Sequence, residues 1–269
     1  MREPVGTTRL DGEVALVTGG GGILGSKFAA GLAAAGASVA VVDLAKDAAD
    51  RTVEAIEGDC AAFACDVADP DSVARCVAAV VERFGRLDML INNAATKTAD
   101  VRNILEPFEE YRLEIWREVM SVNIDGMFLM AQAAGKQMLA GGRGGRIVQT
   151  SSIYGLVGPD GRIYEGSHYL GGPINTPAVY SASKAAVIGL TRWLATYWAD
   201  RGIRVNCLAP GGVESGQNEI FQRRYSERVP LGRMADAEEM VAPMLFLASH
   251  ASSYVTGQVL AADGGWTAW

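Results

Sequence analysis

The chain has 269 residues, 49% of them hydrophobic and 20% charged, with a formal net charge of −7, enough to bury one large α/β core. An acidic chain without a basic stripe has nothing to hold nucleic acid or an anionic membrane, so a small-molecule partner is expected. Residues 1–10 lack an apolar core and no run approaches the roughly 18 apolar residues of a membrane span, which predicts a cytoplasmic protein without signal peptide or membrane anchor.

Residues 1–11 are expected to be a flexible segment and residues 12–269 one domain. An apolar strand over 14–17 meets Thr18-Gly19-Gly20-Gly21-Gly22-Ile23-Leu24-Gly25, and helical spacing starts near Lys27. A strand that turns sharply into a helix around a pyrophosphate needs residues without a Cβ. The helix N-terminus then meets the anion with free N–H groups and its positive dipole end. Gly20, Gly22 and Gly25 satisfy the G-x-G-x-x-G spacing, and a second apolar run, 39–42, closes on Asp43, 18 positions after Gly25. An acidic side chain there takes the adenosine ribose hydroxyls and repels a 2′-phosphate, which predicts NAD as cofactor.

Helical spacing over 47–57 leads to a strand over 61–65 ending at Asp66-Val67. Asp69-Pro70-Asp71 then opens a helix to Phe84. The strand over 87–91 delivers Asn92-Asn93-Ala94-Ala95, a charged loop spans 97–106, and one long helix is predicted over 107–139 with Asn123 in its middle. After a glycine turn at 141–145, a strand over 146–150 ends at Ser151-Ser152. Residues 156–177 read as a long surface loop, and such loops are usually functional. A helix over 178–201, a strand over 204–208, Pro210-Gly211-Gly212, a helix opened by Asp236 and ending near Ser249, and a strand over 257–262 complete the chain. This alternation predicts a Rossmann-type α/β domain: a doubly wound parallel sheet with helices on both faces and ligands at the strand carboxyl ends. Cys60, Cys65, Cys76 and Cys207 lack C-x-x-C spacing and read as reduced core thiols. The only histidines, His168 and His250, sit in no metal or Ser-His-Asp motif, so no metal is expected.

Tyr180 and Lys184 stand at i and i+4 on one helix face. A cation beside a phenol favours the phenolate, lowering a pKa from about 10 toward neutrality, as a general acid–base needs. With this pair, the glycine turn, Asp66-Val67, Asn92-Asn93-Ala94-Ala95, Asn123, Ser152, Pro210-Gly211 and Asp263-Gly264-Gly265 come in an order that resembles the short-chain dehydrogenase/reductase family over residues 12–269.

The resemblance implies that Tyr180 exchanges a proton with the substrate oxygen and that Ser152 hydrogen-bonds the same oxygen. It further implies that Lys184 tunes Tyr180 and holds the nicotinamide ribose, and that Asn123 anchors a proton relay. Cofactor contacts would come from Gly19, Gly22, Ile23 and Leu24 in the turn, Asp43, Asp66 and Val67 around the adenosine, and Asn93 and Ala94, with Asn92 supporting the ribose region. Tyr180, Lys184, Pro210, Gly211, Val213 and Ser215 complete that set. Two departures stand out. Ile23 replaces a glycine usual in the family's simple branch, and Gly19, Gly22 and Gly25 fit the T-G-x-x-G-x-x-G spacing of the longer sugar-nucleotide branch. Chain length and Asn92-Asn93-Ala94 nevertheless match the short branch. Ser215 stands where a threonine is common.

The sequence is similar to short-branch members acting on sugars and sugar acids, including oxidoreductases associated with nonulosonic acids. Ser152 and Tyr180 are 28 positions apart, about twice the family's usual spacing, and the inserted stretch carries Asp160, Arg162, Tyr164, Glu165, His168, Tyr169 and Asn175. With Lys97 and Arg102 they suit hydroxyl and carboxylate recognition. The expected reaction is NAD-dependent interconversion of a secondary alcohol and a ketone on a polyol, sugar or sugar acid. A 3-oxoacyl thioester reductase and a catalytically silent NAD-binding sensor are the alternatives. Apolar helix faces around Phe128 and residues 193–198 predict a homotetramer or homodimer, and the 266–269 tail is expected to dock on its own or a neighbouring subunit.

Overall fold

The computed structural model describes residues 7–96, 102, 106–169 and 172–269. Strand β1 (Val14–Thr18) leads into α1 (Ile23–Ala34), followed by β2 (Ser38–Asp43), α2 (Lys46–Glu54), β3 (Cys60–Ala64), α3 (Pro70–Phe84) and β4 (Met89–Asn92). Then come α4 (Leu113–Met120), α5 (Gly126–Gly141), β5 (Gly145–Thr150), the short β6 (His168–Tyr169) and β7 (Gly172–Pro173), and α6 (Ala178–Trp198). The chain closes with β8 (Ile203–Pro210), α7 (Glu219–Arg228), α8 (Val241–Ala248) and β9 (Val259–Ala262). Seven strands form one sheet in the order β3-β2-β1-β4-β5-β8-β9, every pair parallel, while β6 and β7 make a separate antiparallel hairpin.

The continuous apolar runs of the central strands follow from burial on both faces. Leu16, Ala40, Leu90, Ile147 and Val205 pack against Val77 of α3, Met130 and Ala134 of α5 and Leu194 and Trp198 of α6. Val17, Val41, Ile91 and Val148 face the other way, onto Phe28 and Leu32 of α1 and Met244 and Leu247 of α8. Packing begins at Leu10, inside the segment expected to be flexible: its side chain is buried and its N–H donates to the Ala35 carbonyl.

Three expectations need correction. The helix over 107–139 is interrupted: Pro107 and Arg112 are extended, the helix starts at Leu113, and Ser121–Asp125 forms a wider π-helical turn between α4 and α5. That turn carries Asn123 into the interior, where it is fully buried. The stretch 156–177 is no plain surface loop. It contains a 3₁₀ turn (Gly161–Tyr164) and the β6–β7 hairpin, and Ile163 is buried with Tyr225, Val229, Met234 and Trp266. Helix α7 was absent from the sequence reading altogether. Its composition is strongly polar, so the helical period is carried mainly by Phe221 and Tyr225 behind the capping Asn218, whose side chain accepts the Phe221 N–H.

Candidate active site

Every strand that supplies a candidate residue ends at the same edge of the sheet. At the end of β1, the Thr18 hydroxyl accepts the N–H groups of Asn93 (2.9 Å) and Ala94 (3.0 Å), and the Asn93 amide donates to the Thr18 carbonyl (3.1 Å). Asn92 donates to the Met127 carbonyl (2.8 Å), fastening β4 to α5. Gly19 has a φ of +63°, and a Cβ on Gly25 would stand 2.0 Å from the Gly19 carbonyl oxygen, so neither position accepts a side chain. The cradle they leave opens onto the first turn of α1, where the N–H groups of Ile23 and Leu24 have no carbonyl of their own helix to meet. Asp43 lies at its rim: one carboxylate oxygen accepts the Gly21 N–H (3.0 Å) and the other the Ala45 N–H (3.1 Å). Each oxygen retains a lone pair, so this pair of acceptors fits the hydroxyls of a ribose diol beside a pyrophosphate. Asp66, after β3, is exposed and accepts the Ala68 N–H, while Val67 is buried against Gly126.

Ser152 follows β5, and its hydroxyl accepts the Tyr154 N–H (3.2 Å). Tyr180 lies in the first turn of α6, after Pro177. Its phenol is raised above the ordinary value, first by burial; the nearby Ser152 hydroxyl pulls it back and the Tyr164 phenol adds to the rise. The lowering expected from the neighbouring lysine is therefore not what dominates here. Lys184 is buried under the Tyr180 ring, with its ammonium 5.8 Å from the ring centroid and donating to the Thr150 carbonyl (3.0 Å). Burial draws it down to about 8. Asn123 accepts the Thr96 N–H (2.8 Å) and donates to the Ser183 hydroxyl (3.4 Å), tying the segment after β4 to α6.

After β8, the Gly211 N–H donates to the Ala262 carbonyl and the Gly212 N–H to the Tyr225 hydroxyl, while Val213 pairs with Ala235. The Ser215 hydroxyl accepts from the Gln217 amide (2.9 Å).

Ser152, Tyr180, Gly211 and Ser215 open onto a cavity of about 610 Å³. Its far wall comes from the insertion, through Tyr164, His168, Asn175 and Thr176, and from α7, through Phe221 and Tyr225. Ile153, Val179 and Met234 give it an apolar side. Arg162 and Glu165, two of the candidate substrate residues, are not on that wall. The Arg162 side chain is 75% exposed and clamps Asp160 with two bonds (2.8 and 2.7 Å), and Glu165 pairs with Arg224 (3.3 Å). Being charged, both stay at the solvent side, where their partners are. Lys97 lies outside the described residues. Arg102 is exposed, and His250 sits with Glu13, just before β1, and Arg146, near the start of β5, at the opposite edge of the sheet.

The sequence reading missed Tyr154, Gln217, Asn218, Phe221, Tyr225 and Met234 among the cavity residues. An N-capping Asn218 followed by Phe221 and Tyr225 at i,i+4 was the available signal.

A protein-family profile described as enoyl-(acyl carrier protein) reductase matches residues 22–267. The chain is 38% identical over 267 residues to a D-threitol dehydrogenase from Mycolicibacterium smegmatis, covering 96% of this chain and 94% of that one. It is 38% identical over 272 residues to a galactitol 2-dehydrogenase (L-tagatose-forming) from Cereibacter sphaeroides, covering 97% of each. Among solved structures, a gluconate 5-dehydrogenase from Burkholderia cenocepacia in complex with NADP and tartrate superposes with a TM-score of 0.83 at 33% identity over 98% of each chain.

Proposed function

Because the chain belongs to the short-chain dehydrogenase/reductase family, we propose that it is an NAD-dependent oxidoreductase that interconverts a secondary alcohol and a ketone on a polyol, sugar or sugar acid. The observation that carries this reading is the convergence of Ser152 and Tyr180 on one cavity, at the sheet edge where the glycine turn and Asp43 also lie. A bound nicotinamide supplies the acceptor or donor of hydride; the chain supplies position and proton handling. Tyr180 exchanges the proton with the substrate oxygen, and Ser152 hydrogen-bonds that oxygen and orients it. Lys184, with its value near 8, is mostly protonated at neutral pH and places a positive charge under the Tyr180 ring. Asn123 keeps the Thr96 segment against α6, so that one wall of the cavity stays in register with Tyr180. The relatives named for threitol and galactitol support a hydroxylated substrate, and so do the hydroxyl and amide groups of the cavity wall.

Asp43 favours NAD. Its carboxylate would repel a 2′-phosphate, and the next side chain, Leu44, supplies no cation to offset that. Initial rates with NAD and NADP over a panel of polyols, sugars, aldonates and hydroxyacyl thioesters test the reading. A higher kcat/KM with NAD on a polyol or sugar acid is expected. Equal efficiency with both cofactors overturns the cofactor assignment, and preference for hydroxyacyl thioesters overturns the substrate class.

A further inference from the structure

Three hydroxyls of the cavity wall form one chain: Tyr154 to Tyr164 at 3.3 Å, and Tyr164 to Thr176. All three residues line the cavity that holds Ser152 and Tyr180. Their positions are fixed from behind. The Tyr164 ring stacks on Phe221 (5.5 Å between centroids, 27° between planes), and Tyr154 lies within the turn capped by Ser152. Each hydroxyl carries one proton and two lone pairs. Two contacts within the chain use two of the three protons, which leaves one donor and several acceptors for a ligand. A ligand hydroxyl, donor and acceptor at once, matches that offer. A carboxylate, which only accepts, can use the one donor but leaves the acceptors unmatched.

Charge points the same way. Among the described residues that line the cavity, none is Asp, Glu, Lys or Arg. Arg162 and Arg228 are engaged on Asp160 and Arg224 on Glu165, and Arg223 of α7 is exposed and is not among the residues that line the cavity. His168 contributes a titratable imidazole to that wall, but a carboxylate drawn in would give up its hydration without a permanent countercharge among the described lining residues.

We infer that Tyr154, Tyr164 and Thr176 form a subsite for a second substrate hydroxyl, and that the substrate is an uncharged polyol or ketose rather than a sugar acid. This rests on the oxidoreductase reading above and narrows it. None of the three residues is the acid–base; they set which alcohol is presented to it.

The test compares wild type with Tyr164→Phe and Tyr154→Phe, substitutions that keep the rings and the stack on Phe221. Threitol and galactitol are assayed beside threonate and galactonate, and butane-2,3-diol beside butan-2-ol, the last by competitive inhibition where it is not oxidised. Polyols are expected to exceed the matching aldonates in kcat/KM by at least about tenfold. Tyr164→Phe should lower kcat/KM for the polyols and the diol about tenfold more than for butan-2-ol, mostly through KM, with cofactor affinity unchanged. An aldonate used as well as its polyol overturns the inference and leaves the oxidoreductase reading standing. So does an equal loss on diol and mono-alcohol. If wild type oxidises or reduces no member of either set with either cofactor, the oxidoreductase reading fails and this inference falls with it.

Discussion

Burial shifts Tyr180 and Lys184 in a way that spacing alone does not reveal. Burial raises the phenol and lowers the ammonium, so both are biased toward their neutral forms. Tyr180→Phe removes only the hydroxyl. Turnover is expected to fall by roughly 10² to 10⁴ while NAD affinity, read by fluorescence titration, stays near wild type; retention of half the activity would refute the assignment. Lys184 also leaves a mark on stability. Between about 8, its value when folded, and 10.5, its ordinary value, the unfolded chain holds a proton at this position that the folded chain has released. Stability therefore rises with pH through that window and gains nothing from this group below it. Lys184→Met keeps the buried stem and abolishes the slope. The urea midpoint of cofactor-free wild type minus that of the variant is expected to climb from about pH 8 to about pH 10; tyrosines raised by burial titrate in both proteins and cancel. A flat difference would mean that the folded chain does not depress Lys184.

At the scale of elements, the substrate side of the cavity is assembled by a row of rings. Tyr164 stacks on Phe221, Phe221 leans on Tyr225 (5.7 Å), and Tyr225 stacks on Trp266 (4.5 Å, 18°), so the insertion, α7 and the C-terminal turn form one packed unit. Tyr225 also accepts the Gly212 N–H, which joins this unit to the loop after β8. The tail thus docks on its own subunit through the buried Trp266, while Trp269 remains 70% exposed. Trp266→Ala should cost about 3–5 kcal/mol of stability, measured by urea unfolding at fixed protein concentration, because a large buried ring is removed and its site cannot collapse fully. KM for substrate is expected to rise more than Kd for NAD, since α7 loses its backing while the glycine turn lies elsewhere. Trp266→Phe should recover part of both. Unchanged stability and KM in the alanine variant would show that the row does not hold α7.

The molecule as a whole leaves apolar surface unused. Phe128 on α5 is 47% exposed, and on α6 Trp193 and Tyr197, stacked 4.7 Å apart, are 58% and 47% exposed, while Trp198 faces inward against Gly135. Large aromatics exposed on α5 and on α6 are costly to leave in water. We propose that copies of the chain pair through these helices, giving a homotetramer, with a homodimer as the smaller alternative. Light scattering at micromolar concentration should give a multiple of the 28.4 kDa chain mass, and Trp193→Glu combined with Phe128→Glu should reduce it. A wild-type monomer would contradict the proposal.

Much of this architecture is written locally. Runs such as 14–17 and 39–42 are apolar throughout because both faces of a parallel sheet are covered, and Gly19 answers a demand of its own backbone, a φ of +63°. Tyr180 and Lys184 share a helix face by spacing alone. Those features depend on neighbours in sequence, so the parallel alternation of strands and helices and the sheet edge that gathers ligands were legible from one chain, while the pairing of Ser152 with Tyr180 came from the family resemblance. What the insertion does was not. Arg162 and Tyr164 stand two positions apart in one polar stretch, and only contacts with Asp160 on one side and Phe221 on the other turn the first outward and the second onto the cavity wall. Helix α7 is too polar to announce itself by period. Its buried side exists because Trp266, 41 positions after Tyr225, comes back to cover it. The shift of Tyr180 and Lys184 toward neutral forms is likewise a property of depth in the fold. The sequence by itself determined which groups are available, and burial and long-range packing decided which of them reach the cavity and in what charge state.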